Sequence, residues 1–148
     1  MTQSSAVTAQ NDSNLIPATD LVTVSRAVAD LRRGEIVLVQ GHDNGEAHSV
    51  AVIAAEPLSQ HGLERLCDIA GNDTAPAIVI PRVRAKSLGQ ACKDDPFIAF
   101  VSATQSGVDA NRLGEIANPL LDLDALPDGD WRPISLAEHA AIRLAKLA

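Results

Sequence analysis

Apolar residues recur along this chain at two spacings, one typical of helices and one typical of buried strands. A first helix is indicated by apolar residues at i, i+3, i+4 and i+7, namely Val24, Ala27, Val28 and Leu31. Thr23 or Ser25 can cap its start, and Gly34 follows in the usual position after its end. The continuous apolar run Ile36–Val39 then predicts a buried strand.

Strand and helix signals alternate through the rest of the chain. Further strands are predicted at Val50–Ala55, Ala77–Ile80 and Phe97–Val101. Further helices are predicted after Ser59, over Val83–Leu88, from Asp109 to Ile116, and after the capping box Ser135-x-x-Glu138. This alternation predicts the α/β class: a single domain with a mixed sheet of about four or more strands and helices packed on it.

The pattern also predicts three segments. Residues 1–20 are small and polar and predict a disordered tail, residues 21–119 form the α/β domain, and residues 120–148 form a connector and a C-terminal helix. The apolar face of that helix consists of Ala137, Ala140, Ala141, Leu144 and Leu147. It reaches Ala148 without a Gly, Asn or Pro stop signal. Either the chain continues toward a further domain, or the helix docks on the sheet.

Composition narrows the class of protein. Of 148 residues, 46% are hydrophobic, 21% are charged and only 2% are aromatic, which predicts a globular fold with an aliphatic core. The net charge of -7 argues against nucleic-acid binding, which needs clustered cations. With no apolar run long enough to span a bilayer and no signal-peptide pattern, a cytoplasmic protein is expected. Cys67 and Cys92 lack metal-ligand spacing and are expected to be free or buried thiols.

The richest polar cluster lies between the first two predicted strands and comprises His42, Asp43, Glu46, His48 and, at its end, Glu56. Imidazole and carboxylate groups are both metal ligands, so a divalent ion is one interpretation. The segment also contains Asn44-Gly45, a strong tight-turn dipeptide, so a solvated turn is the simpler interpretation. No motif of an established catalytic class accompanies it.

Two other segments suggest an anion site. Ser102, Thr104 and Ser106 follow a strand and precede a helix, where backbone N–H groups can meet a phosphate. The loop lacks both glycine-rich phosphate-binding patterns, so a plain polar loop is the alternative. A small basic group of Arg82, Arg84 and Lys86 could also attract an anion, although such residues more often form the wet side of a helix.

The order of segments resembles a known enzyme family. The run RAVADLRRGEIVLV, a polar loop and VAVIAAEPLS resemble the opening of 3,4-dihydroxy-2-butanone-4-phosphate synthase. In that family an acidic loop at this place binds magnesium and the sugar phosphate. Alignment backwards from Glu56 retains Glu46, whereas Gly41-His42 replace an Asp-Asp pair and Gly45 replaces the loop arginine. The resemblance therefore implies a degenerate site with vestigial candidates Glu46, His48 and Glu56.

A closer resemblance, over roughly Val24 to Ala148, is to the N-terminal region of alphaproteobacterial GTP cyclohydrolase II. It is carried by VIPRVRAKSLG, LGEIANPLLDLD and AAIRLAKLA. There a degenerate synthase-like domain precedes the cyclohydrolase domain, which holds the zinc and the catalytic residues. The resemblance implies a riboflavin biosynthesis protein in which this chain has no catalytic, cofactor-binding or metal-binding residue of its own.

The expected role is structural: the domain dimerises or adjoins a cyclohydrolase domain. Two alternatives remain open. One is a stand-alone phosphate-ligand binder or small enzyme that uses the 42–56 loop. The other is a partner-binding module that uses the Ala/Leu face of the last helix.

Overall fold

A computed structural model of the chain describes residues 6–9, 18–56, 58–71, 74–90, 94–103 and 109–148. The strands are β1 (Ala6–Ala9), β2 (Val37–Asp43), β3 (Glu46–Val52), β4 (Ala77–Pro81), β5 (Phe97–Ser102) and β6 (Gly129–Arg132). The helices are α1 (Ala18–Arg32), α2 (Gln60–Ala70), α3 (Arg82–Ser87), α4 (Ala110–Ala117) and α5 (Leu136–Leu147). The α/β class predicted from the sequence is confirmed.

The prediction of one mixed sheet is wrong, because the described strands form two separate sheets, ordered β1-β2-β3 and β4-β5-β6. Apolar runs identify strands but do not say which strands pair. By contacts the chain forms two compact units, one from the part before residue 58 together with Ser135–Ala148, the other from Leu58–Ile134. Each unit contains one sheet.

The first unit is built on a hairpin. β2 and β3 pair antiparallel, and β1 pairs parallel to β2 within the segment for which the sequence predicts a tail. The core of this unit is formed by residues of α1, β2 and α5: Ala27, Leu31, Val37, Val39, Ala137, Ala141 and Leu144. All of these side chains are aliphatic, as the low aromatic content predicts.

The last helix docks in this first unit. Ala137, Ala141 and Leu144 are buried in the core with β2, whereas Leu147 on the same helix is 59% exposed. The use of that face as a partner-binding surface stays a prediction. At the far end of α5, the Arg32 side chain donates from Nε to Ala148 O (2.6 Å) and from Nη2 to Leu147 O (2.8 Å). These bonds satisfy carbonyls that a helix end leaves unpaired.

The second unit is an antiparallel sheet covered by α4. Its buried apolar residues come from β4, β5, α2, α3 and α4: Leu63, Ile78, Ile80, Ala85, Ala99, Phe100, Ala110, Leu113 and Ile116. β6 lies inside the segment that the sequence predicts as a connector, and it pairs with β5 from Ala99↔Arg132 to Ser102↔Gly129. β6 is short, with the sequence Gly-Asp-Trp-Arg, and only one of its residues is apolar. The hydrophobic pattern therefore gives no strand signal there.

Most helix ends follow their local signals. The Ser59 side chain accepts from Gly62 N, the Asp109 side chain accepts from Asn111 N, and Ser135 with Glu138 forms the predicted capping box. The start of α1 is the exception. The helix begins at Ala18, so Thr23 and Ser25 lie inside it and do not cap it.

In the described parts of the chain, none of the helices combines the length and the apolar character needed to cross a lipid bilayer.

Candidate functional site

The polar cluster after the first strand folds as a tight hairpin. Asn44 and Gly45 both have positive φ, 51° and 83°, which is the signature of a two-residue type I′ turn. The register sets Asp43 opposite Glu46 and Gly41 opposite His48. The loop predicted from the sequence therefore consists of only Asn44 and Gly45. The residues on either side of them belong to β2 and β3.

Strand alternation explains where the candidate ligands lie. Glu46 and His48 share a face of β3 with Val50 and Val52, since side chains alternate along a strand. The two valines pack against the core of the first unit, whereas Glu46 and His48 are exposed. The hairpin therefore extends beyond the core that covers its other end. His42 is also exposed, but it lies on the opposite face, paired with Ala47.

Glu56 lies outside the β2–β3 hairpin. Glu46 opens β3, and the strand carries the chain about 20 Å to Val52. Glu56 follows four positions later and is exposed. Over the ranges that the structure describes, no group of three or more His, Cys, Asp or Glu side chains is placed to hold a metal ion. Of the vestigial candidates, Glu46 and His48 thus lie on β3, and Glu56 lies after its end.

The Ser/Thr loop is only partly described. Ser102 ends β5 and is half-buried, and its backbone N donates to Pro76 O at 3.1 Å. Thr104 and Ser106 lie outside the described residues. The helix that follows the loop, α4, already has its first donors engaged: Ala110 N donates to Gln60 Oε1 and Asn111 N donates to Asp109 Oδ1, both at 2.9 Å. A phosphate at this helix start would compete with both acceptors and meet the Asp109 carboxylate.

Arg84 is a buried structural residue, so neither sequence interpretation of its basic group holds for it. Arg84 is only 5% exposed. Its Nε donates to Ile116 O (2.9 Å), its Nη2 to Glu115 O (3.0 Å) and its Nη1 to Ser87 Oγ (3.3 Å). The guanidinium therefore caps the C-terminal end of α4, where the helix dipole favours a cation.

The orientation of α3 explains why sequence reasoning missed this role. Val83 is 79% exposed while its neighbour Arg84 is buried, the reverse of the usual preference. The unpaired carbonyls at the end of α4 provide the reason, because a buried Arg can satisfy several of them with its planar fork. No local signal around Arg84 reveals acceptors more than 30 residues away.

Cys67 lies on α2 and is not part of a disulfide. Burial, and secondarily the carboxylate of Asp68, raise the pKa of this thiol. A raised pKa keeps the sulfur protonated at neutral pH, whereas a reactive cysteine needs its thiolate form. Cys67 therefore has no feature of a reactive thiol, and it is half-buried. Cys92 lies outside the described residues.

The hairpin turn can be tested by substitution. We expect Gly45→Ala to lower the free energy of unfolding by about 1 kcal/mol, because a Cβ disfavours the left-handed backbone. No described atom lies within 4 Å of that added Cβ, so the cost is conformational. Gly45→Asn is the matched control. It should lower the free energy of unfolding clearly less than Gly45→Ala does, since Asn tolerates this conformation. Equal losses for both variants in thermal unfolding would contradict the assignment.

No family model, no curated protein and no solved structure matches this chain. Its functional interpretation therefore rests on the hairpin, on the engaged start of α4 and on the resemblance of the quoted segments.

Proposed function

We propose that this chain is a non-catalytic α/β domain of a GTP cyclohydrolase II-type riboflavin biosynthesis protein. The domain is cytoplasmic and its role is structural: it self-associates or positions an adjoining cyclohydrolase domain. The zinc and the hydrolytic chemistry of that family belong to the adjoining domain. The degenerate 3,4-dihydroxy-2-butanone-4-phosphate synthase-like site stays in this chain as the β2–β3 hairpin.

The form of that hairpin carries the proposal. In the synthases that the sequence resembles, this segment is an acidic loop that binds magnesium and a sugar phosphate. Here Asn44-Gly45 close it as a two-residue turn. Of the retained acids, Glu46 opens β3, and Glu56 follows four positions after that strand ends at Val52. Magnesium needs near-octahedral oxygen ligands that converge on one point. Exposed side chains on a strand fit that requirement poorly, so no catalytic step is assigned to them.

A calorimetric titration tests this proposal. We expect no saturable heat when the chain is titrated with magnesium and ribulose 5-phosphate, alone or together, because a convergent ligand set is needed for either to bind tightly. An assay for loss of ribulose 5-phosphate should show no turnover. Saturable binding with turnover contradicts the proposal.

Should binding appear, two substitutions identify its origin. A stand-alone binder or small enzyme that uses the 42–56 segment loses affinity in Glu46→Ala and His48→Ala. Both side chains are exposed, so neither change is expected to affect folding. Gln40→Ala, at an exposed position of the partner strand β2, is the matched control.

A further inference from the structure

Asn44 and Gly45, at the tip of the β2–β3 hairpin, carry two groups that can react with each other. Both residues are exposed, and no described atom lies within 4 Å of the place that a Cβ at Gly45 would occupy. Asparagine is a thermally labile residue, because the backbone nitrogen of the next residue can attack its carboxamide carbon. Glycine leaves that nitrogen unshielded, since it has no side chain. The tip therefore places an electrophile next to an accessible nucleophile.

The reaction between these groups needs no reagent other than water. Gly45 N forms a bond to Asn44 Cγ and gives up its proton, while the bond from Cγ to the side-chain nitrogen breaks and ammonia leaves. Water then opens the resulting five-membered succinimide at one of its two carbonyls. Opening at Cγ gives aspartate, whereas opening at the main-chain carbonyl gives isoaspartate, in which the backbone continues through the former side chain. Either product carries one negative charge more than asparagine does.

The folded turn holds the two groups apart. Ring closure needs Gly45 N on the same side of the Asn44 Cα–C bond as Cβ. The φ values of 51° and 83° identify a type I′ turn, and the first central residue of such a turn has a ψ of roughly 30°. At that ψ the carbonyl O of Asn44 lies near Cβ, and Gly45 N points to the opposite side. The ring can therefore close only after a rotation about this bond, which breaks the two-residue turn.

We infer that Asn44 is a site of spontaneous deamidation and that the type I′ turn restrains the reaction in the folded chain. The reaction runs in one direction, because the ammonia is lost to solvent. Isoaspartate lengthens the main chain by one carbon, so this product no longer has the geometry that a two-residue turn requires. The modification is independent of the proposed function, since it involves no ligand, metal ion or partner of the hairpin.

Peptide mapping by mass spectrometry tests the restraint. The full chain is incubated at mildly alkaline pH, in buffer and in enough guanidinium chloride to unfold it. We expect Asn44 to gain about one dalton at least about tenfold more slowly in the folded chain, because the open tip is then a minor state. Asn118 is the internal control: Pro119 follows it and has no N–H, so this ring cannot form there. Equal rates for Asn44 in both conditions, or no conversion of Asn44 in the unfolded chain, overturn the inference.

A proline substitution beside the turn separates its effect from that of the rest of the fold. Glu46 pairs with Asp43 across the turn, and in a two-residue hairpin such a pair exchanges the hydrogen bonds that close the turn. Glu46→Pro removes one donor and leaves Asn44 and Gly45 in place. We expect Asn44 to convert at least several-fold faster in this variant than in the wild type, both in buffer. Glu46→Ala is the matched control, because it keeps the N–H and should convert at the wild-type rate. Circular dichroism establishes that both variants are folded. Equal rates in the two variants overturn the role of the turn.

Discussion

Replacing Arg84 by alanine is expected to lower the free energy of unfolding of the second unit by about 3 kcal/mol, since each hydrogen bond from a charged group contributes about 1.5–3 kcal/mol and burial leaves its acceptors without water. The guanidinium is buried and donates to two backbone carbonyls at the end of α4 as well as to Ser87. Its loss removes the cap of α4 and leaves a void beneath α3.

Trp131 provides a local measurement of this effect. It is the only Trp in the chain, and its ring lies edge-on to Phe100 at a centroid distance of 5.2 Å within the second unit. Urea unfolding followed by Trp fluorescence therefore reports on the unit that contains Arg84. Arg84→Lys should recover only part of the loss, because an ammonium group cannot reproduce the fork.

Lys86→Ala is the matched control on the same helix. Lys86 is exposed, so its replacement should change the free energy of unfolding by less than about 0.5 kcal/mol. A loss in Arg84→Ala no larger than that of Lys86→Ala would show that the guanidinium does not stabilise the end of α4.

Gly129→Ala is expected to destabilise the second unit by roughly 3 kcal/mol, the upper part of the range for forcing extra atoms into a packed site. A Cβ at this position would stand 2.3 Å from Val101 O and 2.5 Å from Phe100 Cζ. One of those atoms is backbone and the other belongs to a fully buried ring, so neither can move cheaply. We expect the β5–β6 pairing to shift, with a lower urea midpoint in Trp131 fluorescence.

Gly114→Ala is the control for the loss of glycine itself. Gly114 lies inside α4, and a Cβ there meets no described atom within 4 Å. Alanine is more favourable than glycine inside a helix, so this variant should raise the free energy of unfolding by about 0.5–1 kcal/mol. If Gly129→Ala lowers the free energy of unfolding and Gly114→Ala raises it, the close approach of Phe100 to residue 129 causes the loss of stability. A stable Gly129→Ala variant would contradict that packing.

Only part of the candidate site could be predicted from the sequence. Asn44-Gly45 predicts the turn correctly, because a type I′ turn depends on two adjacent residues. The length of the hairpin is not predicted, since Glu46, His48 and His42 are polar and give no strand signal. Cross-strand hydrogen bonds between β2 and β3 hold these residues in the two strands regardless of their polarity. The segment interpreted as a loop is therefore mostly strand, with exposed side chains.

The sequence by itself determined the caps at Ser59 and Asp109 and the capping box of α5, which depend on residues two or three positions apart. It also determined the α/β class, which follows from the alternation of strand and helix patterns. The tertiary structure alone decided which strands pair, where α5 docks and what Arg84 does. Arg32 contacts the end of α5 across 116 positions, and Arg84 contacts α4 across 32. Such contacts form only where the folded chain brings an unsatisfied carbonyl within reach of a donor, and a local pattern of residues does not encode that meeting.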